Sequence, residues 1–264
     1  MKIWSVANQK GGVGKTTTAV SLAGLCALHG YRTLMIDMDP QGSMTSYFGY
    51  DPESVQPSLY DIFQQTTISR QFTHNLVRKT AVNKLDILPA STAIATLDKQ
   101  LGAKSGMGLA VVNAIKNFTD EYDHVFIDCP PMLGVLMVNA LAACDHLVIP
   151  VQTEFLAMKG LERMLNTLQM IERAKAININ YTIVPTMYDK RTRASIDSLA
   201  YLREHFTEHL WKSVVPIDTR FRESSKEGLP ISHFRVSTRG ARAYSALLDE
   251  LTTTISDESK AAAR

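Results

Sequence analysis

The chain has 264 residues, of which 45% are hydrophobic and 20% charged, and its formal net charge is +2. This composition excludes a disordered, collagen-like or low-complexity chain, and the charge is too small to indicate nucleic-acid binding by itself. The three cysteines form no C-x-x-C pair, and no apolar run approaches the ~20 residues that span a bilayer. We therefore expect a globular protein of the cytoplasm without a secretion signal.

Short and nearly continuous apolar runs alternate with helical patterns along the chain. The apolar runs predict strands at 3–7, 33–38, 85–88, 124–128, 146–151, 181–184 and 213–215. The segments between them predict helices at 15–29, 107–118, 158–175, 195–210 and 241–251. This order predicts an α/β fold with a doubly wound, mostly parallel sheet and helices on both faces. We expect a single domain over 1–255, followed by a polar tail at 256–264 that frays.

The strongest functional signal is a glycine-rich loop between the first predicted strand and the first predicted helix. It reads Lys10-Gly11-Gly12-Val13-Gly14-Lys15-Thr16-Thr17. Glycines let backbone N–H groups surround an anion at the positive end of a helix, and Lys15 is placed to reach β- and γ-phosphates. The Thr16 hydroxyl suits a Mg²⁺ ligand. The spacing predicts a phosphate-binding loop, since a plain strand-to-helix turn does not require Gly-Lys-Thr.

The loop departs from the common pattern Gly-x-x-x-x-Gly-Lys-Thr in its first half. Gln9 stands where glycine is usual, and Lys10 follows it. A second cation is useful here if it reaches the nucleotide of another subunit and neutralises charge during phosphoryl transfer, as an arginine finger does. A solvated surface lysine is the alternative interpretation of Lys10.

The run from Lys10 to Thr17 resembles the deviant Walker A motif of the ParA/MinD family of ATPases. This resemblance implies ATP and Mg²⁺ as cofactors, bound by the whole run. It also implies a homodimer that forms with ATP, in which Lys10 contacts the partner's nucleotide. Lys10 and Lys15 are then catalytic residues.

Carboxylates follow two more predicted strands. The block Asp37-Met38-Asp39-Pro40-Gln41 resembles a family block whose second aspartate positions the attacking water. We assign that role to Asp39 and a structural one to Asp37, with a helix cap as the alternative. Asp128 ends an apolar strand and resembles the Walker B aspartate that holds the Mg²⁺ shell. The expected metal residues are therefore Thr16, Asp39 and Asp128.

Three residues are assigned to the adenine by the resemblance. Pro216 and Asp218 stand where relatives enclose the base, although relatives usually carry asparagine at the second position. Met187 is expected to pack on the base, but a buried methionine needs no ligand to explain it. A further block, from Pro150 to Glu154, resembles a family block that we place at the dimer face.

Positive charge is concentrated in residues 185–245, which contain eleven lysines and arginines against seven acidic residues, a net +4. Such a patch suits sequence-independent contact with phosphates. Arg191 and Arg220 stand where partition-type relatives carry the arginines that grip non-specific DNA, and we assign Arg239 to the same face. A solvated charged face is the alternative.

Together these features imply an ATPase with weak intrinsic hydrolysis that a partner or cargo-adaptor protein stimulates. It would localise a cargo on the nucleoid or at the cell pole. Chromosome and plasmid partition complexes are the commonest cargo in the family, whereas Trp4 and the stretch from Arg220 to Ser225 resemble the ParC subgroup that positions chemotaxis arrays. A MinD-like membrane-cycling regulator is the alternative function. No direct membrane insertion is expected, because the last residues lack a basic amphipathic helix.

Overall fold

The computed structural model describes residues 1–97, 109–175 and 178–262. Within these residues seven strands form one sheet in the order β3-β4-β2-β5-β1-β6-β7. The strands are β1 (Lys2–Val6), β2 (Thr33–Asp37), β3 (Arg78–Lys79), β4 (Leu85–Leu88), β5 (His124–Asp128), β6 (His146–Gln152) and β7 (Tyr181–Thr186). All neighbouring pairs are parallel except β3 and β4. The prediction of a mostly parallel α/β sheet is confirmed.

Helices cover both faces of the sheet, as a doubly wound fold requires. The described helices are α1 (Lys15–Leu28), α2 (Ser43–Tyr47), α3 (Leu59–Ile62), α4 (Arg70–Leu76), α5 (Ala110–Lys116), α6 (Val135–Ala143), α7 (Phe155–Lys175), α8 (Arg193–His205), α9 (Arg220–Lys226), α10 (Ile231–Phe234) and α11 (Arg239–Ala262), with a 3₁₀ turn at Thr92–Thr96. Successive side chains of β5 enter opposite cores. Val125 and Ile127 pack in the core under α5, α6 and α7, and Phe126 packs in the core under α1 and α11.

The prediction of a strand at 213–215 is wrong. Val215 donates its N–H to the Pro185 carbonyl at 2.8 Å, and an isolated bridge joins Tyr188 to Pro216. A ladder does not continue here because proline has no N–H to donate. The edge strand β3 was not predicted, since two polar residues carry no apolar pattern.

Helix ends differ from the predicted ones. The helix expected at 107–118 covers Ala110–Lys116, and positions 107 and 108 lie outside the described residues. The helix expected at 195–210 is Arg193–His205, and the one expected to start at 158 starts at Phe155. The last helix continues to Ala262, through most of the predicted tail, and 263–264 lie outside the described residues.

Parallel strands bring their carboxyl ends to one edge of the sheet, where ligands bind in open α/β folds. The central strand β1 lies between β5 and β6, so the glycine-rich loop that follows it emerges in the middle of that edge. Among the described residues, no helix is both long enough and apolar enough to cross a membrane. All three cysteines are free thiols.

Candidate functional site

The glycine-rich loop forms an open cradle at the start of α1. Gly12 and Gly14 have φ values of 74° and 92°, in the left-handed region where glycine avoids steric cost. A Cβ placed on Gly11 or Gly12 would meet no atom within 4 Å, so the space beside the loop is open. The loop therefore presents backbone N–H groups and free volume together, which is the arrangement that phosphates need.

Lys15 lies inside this loop. It is buried, and its Nζ donates to the carbonyl of Lys10 at 3.4 Å across the loop. The Thr186 hydroxyl at the end of β7 donates to the Val13 carbonyl at 2.8 Å and ties the loop to a neighbouring strand. The Lys15 side chain thus crosses the loop, and its ammonium lies against the carbonyl of Lys10.

The first half of the loop is anchored by two residues that the sequence analysis did not assign to the site. Asn8 is fully buried, donates from Nδ2 to the Pro150 carbonyl at 2.9 Å and accepts from the Lys10 N–H at 3.0 Å. Gln9 donates from Nε2 to the Thr167 hydroxyl on α7 at 2.6 Å. The sequence feature that could have identified them is a pair of amide side chains directly after a buried strand, because a solvated loop does not require amides there.

Lys10 points away from the cradle and pairs with a carboxylate of its own chain. Its ammonium forms an ion pair with Glu154, just before α7, and the two side chains are 25% and 38% exposed. A Cβ added at Gly160 on α7 would lie 3.1 Å from the Lys10 Cβ, so that glycine permits the close approach. The two lysines of the loop therefore occupy different places, one inside the cradle and one at its outer edge.

Thr16 and Asp128 come together at the floor of the cradle. The Thr16 hydroxyl donates to Asp128 Oδ2 at 2.6 Å. Asp128 is buried, and its Oδ1 has no hydrogen-bond partner among the described residues. Hydroxyl and carboxylate oxygens are the ligands that Mg²⁺ prefers, and it usually keeps several waters and binds substrate phosphates as well. An orphaned buried carboxylate oxygen beside a phosphate cradle fits this ion.

Asp37 and Asp39 complete an acidic group beside Asp128. Asp37 pairs in register with Asp128 across β2 and β5, and accepts hydrogen bonds from Thr45 and from the Asp39 N–H. Burial raises the pKa of Asp37 to about 6, and burial together with the charge of Asp37 raises the pKa of Asp128. Both carboxylate oxygens of Asp37 accept hydrogen bonds from its own chain. A cation near Asp128 would favour its ionised form, because opposite charge offsets desolvation.

Asp39 lies nearer the surface of the same edge. It is 8% exposed, and its Oδ1 accepts from the Gln41 N–H at 3.0 Å, which forms a turn within its own loop. Among the described residues, Asp39 Oδ2 accepts no hydrogen bond. The position is compatible with the predicted contact to a water or to a metal-bound water.

A cavity of about 380 Å³ opens beside the loop. Five predicted residues line it: Gly14, Thr17, Met187, Pro216 and Asp218. It is also lined by residues that the sequence analysis did not assign to the base, namely Gln152, Thr186, Val215, Ile217, Thr219, Phe221, Arg222 and Tyr244. The size and the mixture of apolar walls and a few polar groups suit a small organic ligand.

Met187 has an unusual backbone conformation at this cavity. Its φ is 53°, which is uncommon for a residue with a side chain, and its Cε lies 4.0 Å from the Cβ position of Gly14. Backbone strain of this kind persists where the surrounding structure holds it, and it concentrates at ligand sites. Met187 thus lies against the loop and lines the cavity.

A second cleft of about 400 Å³ lies on the other side of the segment 216–219. Arg191 and Arg239, two of the three predicted DNA-binding arginines, line it together with Lys190. Arg220 is not among the described residues that line it and instead pairs with Glu223 at 2.9 Å. Arg191 donates to Asp189 from both Nε and a terminal guanidinium nitrogen. These bonds lower the pKa of Asp189 to about 2. We call this cavity the basic cleft.

The chain is similar to known proteins over most of its length. The family model described as an AAA domain matches residues 1–183. The sporulation initiation inhibitor protein Soj of Bacillus subtilis is 36% identical over 253 residues, which cover 95% of this chain and 98% of that protein. The chromosome partitioning protein ParA of Myxococcus xanthus is 32% identical over 251 residues, with 95% and 87% covered.

The fold is also similar to solved structures. The structure of cobyrinic acid a,c-diamide synthase from Mycobacterium smegmatis with bound ATP analog and magnesium has a TM-score of 0.83 and 29% sequence identity. It covers 96% of this chain and 94% of that one. The similarity therefore extends over the whole sheet and its helices.

Proposed function

Since the chain belongs to the ParA/Soj family of partitioning ATPases, we propose that it binds ATP with Mg²⁺ and then forms a homodimer that is retained on non-specific DNA. Hydrolysis is weak in the isolated protein and is stimulated by a partner or cargo-adaptor protein. Hydrolysis releases the protein from DNA, and repeated cycles of binding and release determine where the cargo is located.

The observation that carries this proposal is the placement of the two lysines of the loop. Lys15 occupies the cradle, whereas Lys10 lies outside it, paired with Glu154 at the sheet edge. A lysine outside its own cradle is free to serve a cradle in another chain once its ion pair opens. A second protomer facing this edge would complete both sites, which supports a dimer that encloses two nucleotides.

Each residue of the site then has a separate task. Lys15 and the loop N–H groups bind the phosphates, and Thr16 and Asp128 would hold Mg²⁺. When bound, Mg²⁺ neutralises charge on the phosphate oxygens. Asp39 orients the attacking water, and Lys10 of the opposite protomer stabilises negative charge that develops on the transferred group. Met187, Pro216 and Asp218 enclose the adenine.

DNA binding is assigned to Arg191, Arg220 and Arg239. The first and last line the basic cleft, and Lys190 adds a fourth positive charge that the sequence analysis did not single out. Arg220 begins α9 next to Thr219, which lines the cleft. Clustered cations bind the DNA backbone without reading sequence, and the affinity falls steeply with salt.

The cargo that the relatives favour is a chromosome partition complex, since ParA of Myxococcus xanthus carries that function in its name. A nucleoid-associated protein of the cytoplasm follows from this assignment. The chemotaxis array at the cell pole, expected from the resemblance to the ParC subgroup, is the second candidate. A fluorescent fusion distinguishes them, because a partition ATPase follows the nucleoid and an array-positioning ATPase accumulates at the pole.

The function is tested by measuring ATP hydrolysis and ATP-dependent retention on a duplex of unrelated sequence. Asp39→Ala is expected to lower hydrolysis at least about 100-fold, because positioning a water for attack contributes that much or more. ATP binding should persist, so the variant should accumulate as an ATP-bound dimer. Light scattering measures this change in mass.

The control is Asp197→Ala, which removes an exposed carboxylate on α8 that pairs only with the neighbouring Arg193 among its described salt bridges. Its turnover should equal that of the wild type. Brisk hydrolysis by Asp39→Ala would refute the assignment of this residue. Binding of the ATP-loaded protein to anionic liposomes, with none to DNA, would replace the proposal with the membrane-cycling alternative.

A further inference from the structure

A single carboxylate joins the two helices that carry the arginines Arg220 and Arg239. Asp218 Oδ1 accepts from the Arg220 N–H at 3.0 Å, and Asp218 Oδ2 accepts from the Gly240 N–H at 2.9 Å. These donors lie in the first turns of α9 and α11, which begin at Arg220 and Arg239. First-turn N–H groups have no partner inside the helix, so a carboxylate that accepts from them caps both helices.

The third arginine segment is joined to the same place through the backbone. The Tyr188 N–H donates to the Val215 carbonyl at 3.0 Å, and the Ile217 N–H donates to the Tyr188 carbonyl at 3.2 Å. The Arg239 guanidinium donates to the Ile217 carbonyl at 3.5 Å. The short segment 216–218 therefore contacts the segments that carry Arg191, Arg220 and Arg239.

The junction between α9 and α11 is closely packed. A Cβ added to Gly240 would lie 2.4 Å from the Phe221 ring, and Phe221 packs edge-on against Tyr244 with ring centroids 5.7 Å apart. Because packed cores deform little, the two helices have few alternative arrangements while the Asp218 bonds are intact.

The same segment is a wall of two cavities. Pro216, Ile217, Asp218 and Thr219 line both the cavity beside the glycine-rich loop and the basic cleft. A movement of this wall on one side would therefore change the lining of both cavities. Such coupling is reciprocal in free energy between the two sites.

We propose that Asp218 is a positioning residue that holds the arginines of the basic cleft in one arrangement and links that arrangement to the occupancy of the nucleotide cavity. This inference rests on the proposed DNA-binding function. It assigns Asp218 a task different from hydrogen bonding to the base, because both of its carboxylate oxygens already accept from backbone N–H groups.

Charge alone predicts the opposite effect. Asp218 is an anion that lines a cleft proposed to bind DNA phosphates, so its removal would strengthen DNA binding if the carboxylate acted only through its charge. Positioning predicts weaker binding, because α9 and α11 would lose the shared cap. The sign of the change therefore separates the two effects.

The test compares Asp218→Ala, Asp218→Asn and the wild type in DNA retention with ATP and Mg²⁺, over a series of salt concentrations. We expect Asp218→Ala to lower retention about tenfold, the effect of losing a capping interaction, with a shallower salt dependence. Asp218→Asn keeps one acceptor oxygen and should lie between the two. Because Asp218 also lines the nucleotide cavity, ATP affinity is measured for each variant with and without DNA, and the difference that DNA makes should be smaller in Asp218→Ala than in the wild type.

Thr219→Ala is the matched control, since Thr219 lines the same cavities and its side chain does not cap α9. Hydrogen exchange at the Gly240 amide should accelerate in Asp218→Ala and not in the control. Stronger or unchanged retention in both Asp218 variants would overturn the inference, even if thermal stability falls. If the wild-type protein does not bind DNA with ATP and Mg²⁺, the proposed function is rejected instead.

Discussion

Lys10→Ala is expected to abolish ATP-dependent dimerisation while leaving the affinity of the monomer for ATP within about twofold of the wild type. The reason is the position of Lys10 outside its own cradle, where its ammonium contacts Glu154 rather than the space above Gly11 and Gly12. Lys15 still occupies the cradle in this variant. A protomer would then bind nucleotide but offer no cation to the opposite site.

Hydrolysis should fall with dimerisation. A cation supplied across an interface to a transferring phosphoryl group contributes about 10³–10⁵ in rate in related nucleotide hydrolases. Sedimentation with a slowly hydrolysed ATP analogue measures the assembly, and phosphate release measures turnover. Lys159→Ala is the matched control, because Lys159 is an exposed lysine near the start of α7 that pairs with Glu162.

Glu154→Ala sharpens the same test. It removes the partner that holds Lys10 in the free chain, so the variant should dimerise at least as readily as the wild type. The gain in the dimerisation constant is limited to about thirtyfold, because a partly exposed ion pair contributes at most about 1 kcal/mol and a dimer opens two of them. A Lys10→Ala protein that dimerises normally with ATP would reject the role of Lys10 across the interface.

Arg191→Glu combined with Arg239→Glu is expected to lower DNA retention by about 10²–10⁴-fold at moderate salt, because affinity and its salt dependence follow the number of phosphate contacts. The pair is chosen because both side chains line the basic cleft. Reversing both charges replaces two attractions with two repulsions. ATP binding and ATP-dependent dimerisation should persist, since neither residue lines the cavity beside the glycine-rich loop.

The control for this variant carries the same change in charge at the opposite edge of the sheet. Lys116→Glu with Arg203→Glu alters the last turns of α5 and α8, which are remote from the carboxyl ends of the strands. Binding is measured with a labelled duplex over several salt concentrations. Retention equal to that of the control would show that the cleft is not the DNA-binding surface.

Arg220 shows where the sequence and the structure differ about the DNA-binding surface. The sequence analysis assigned both Arg220 and Arg191 to DNA binding. In the structure Arg220 pairs with Glu223 and is not among the described residues that line the basic cleft. A linear pattern identifies a cation and its neighbours along the chain. It does not say which side of a helix faces a cleft that is lined by residues 188–191, 216–219 and 239.

Local chemistry explains what could be predicted. Residues 10–17 are a continuous run between a strand and a helix, so their geometry follows from backbone conformation at Gly12 and Gly14. Likewise Asp37 and Asp128 follow buried strands, and parallel pairing places them side by side. The wrong prediction at 213–215 has the converse cause. The apolar residues 213–215 were predicted to form a strand. The Val215 N–H bonds to the Pro185 carbonyl, but Pro185 and Pro216 have no N–H groups to donate, so a ladder does not form.

The order of residues along the chain thus determined the sheet, the phosphate cradle and the carboxylates beside it, because each depends on neighbours within one turn or one strand. Tertiary structure alone decided that Lys10 meets Glu154, that Gln9 is tied to Thr167, and that one carboxylate, Asp218, accepts from the first turns of two helices. Apart from the local bond between Asp218 and the Arg220 N–H, these contacts join residues 22 to 158 positions apart, and their partners are ordinary polar residues without a spacing pattern. Only packing brings such side chains within hydrogen-bond distance.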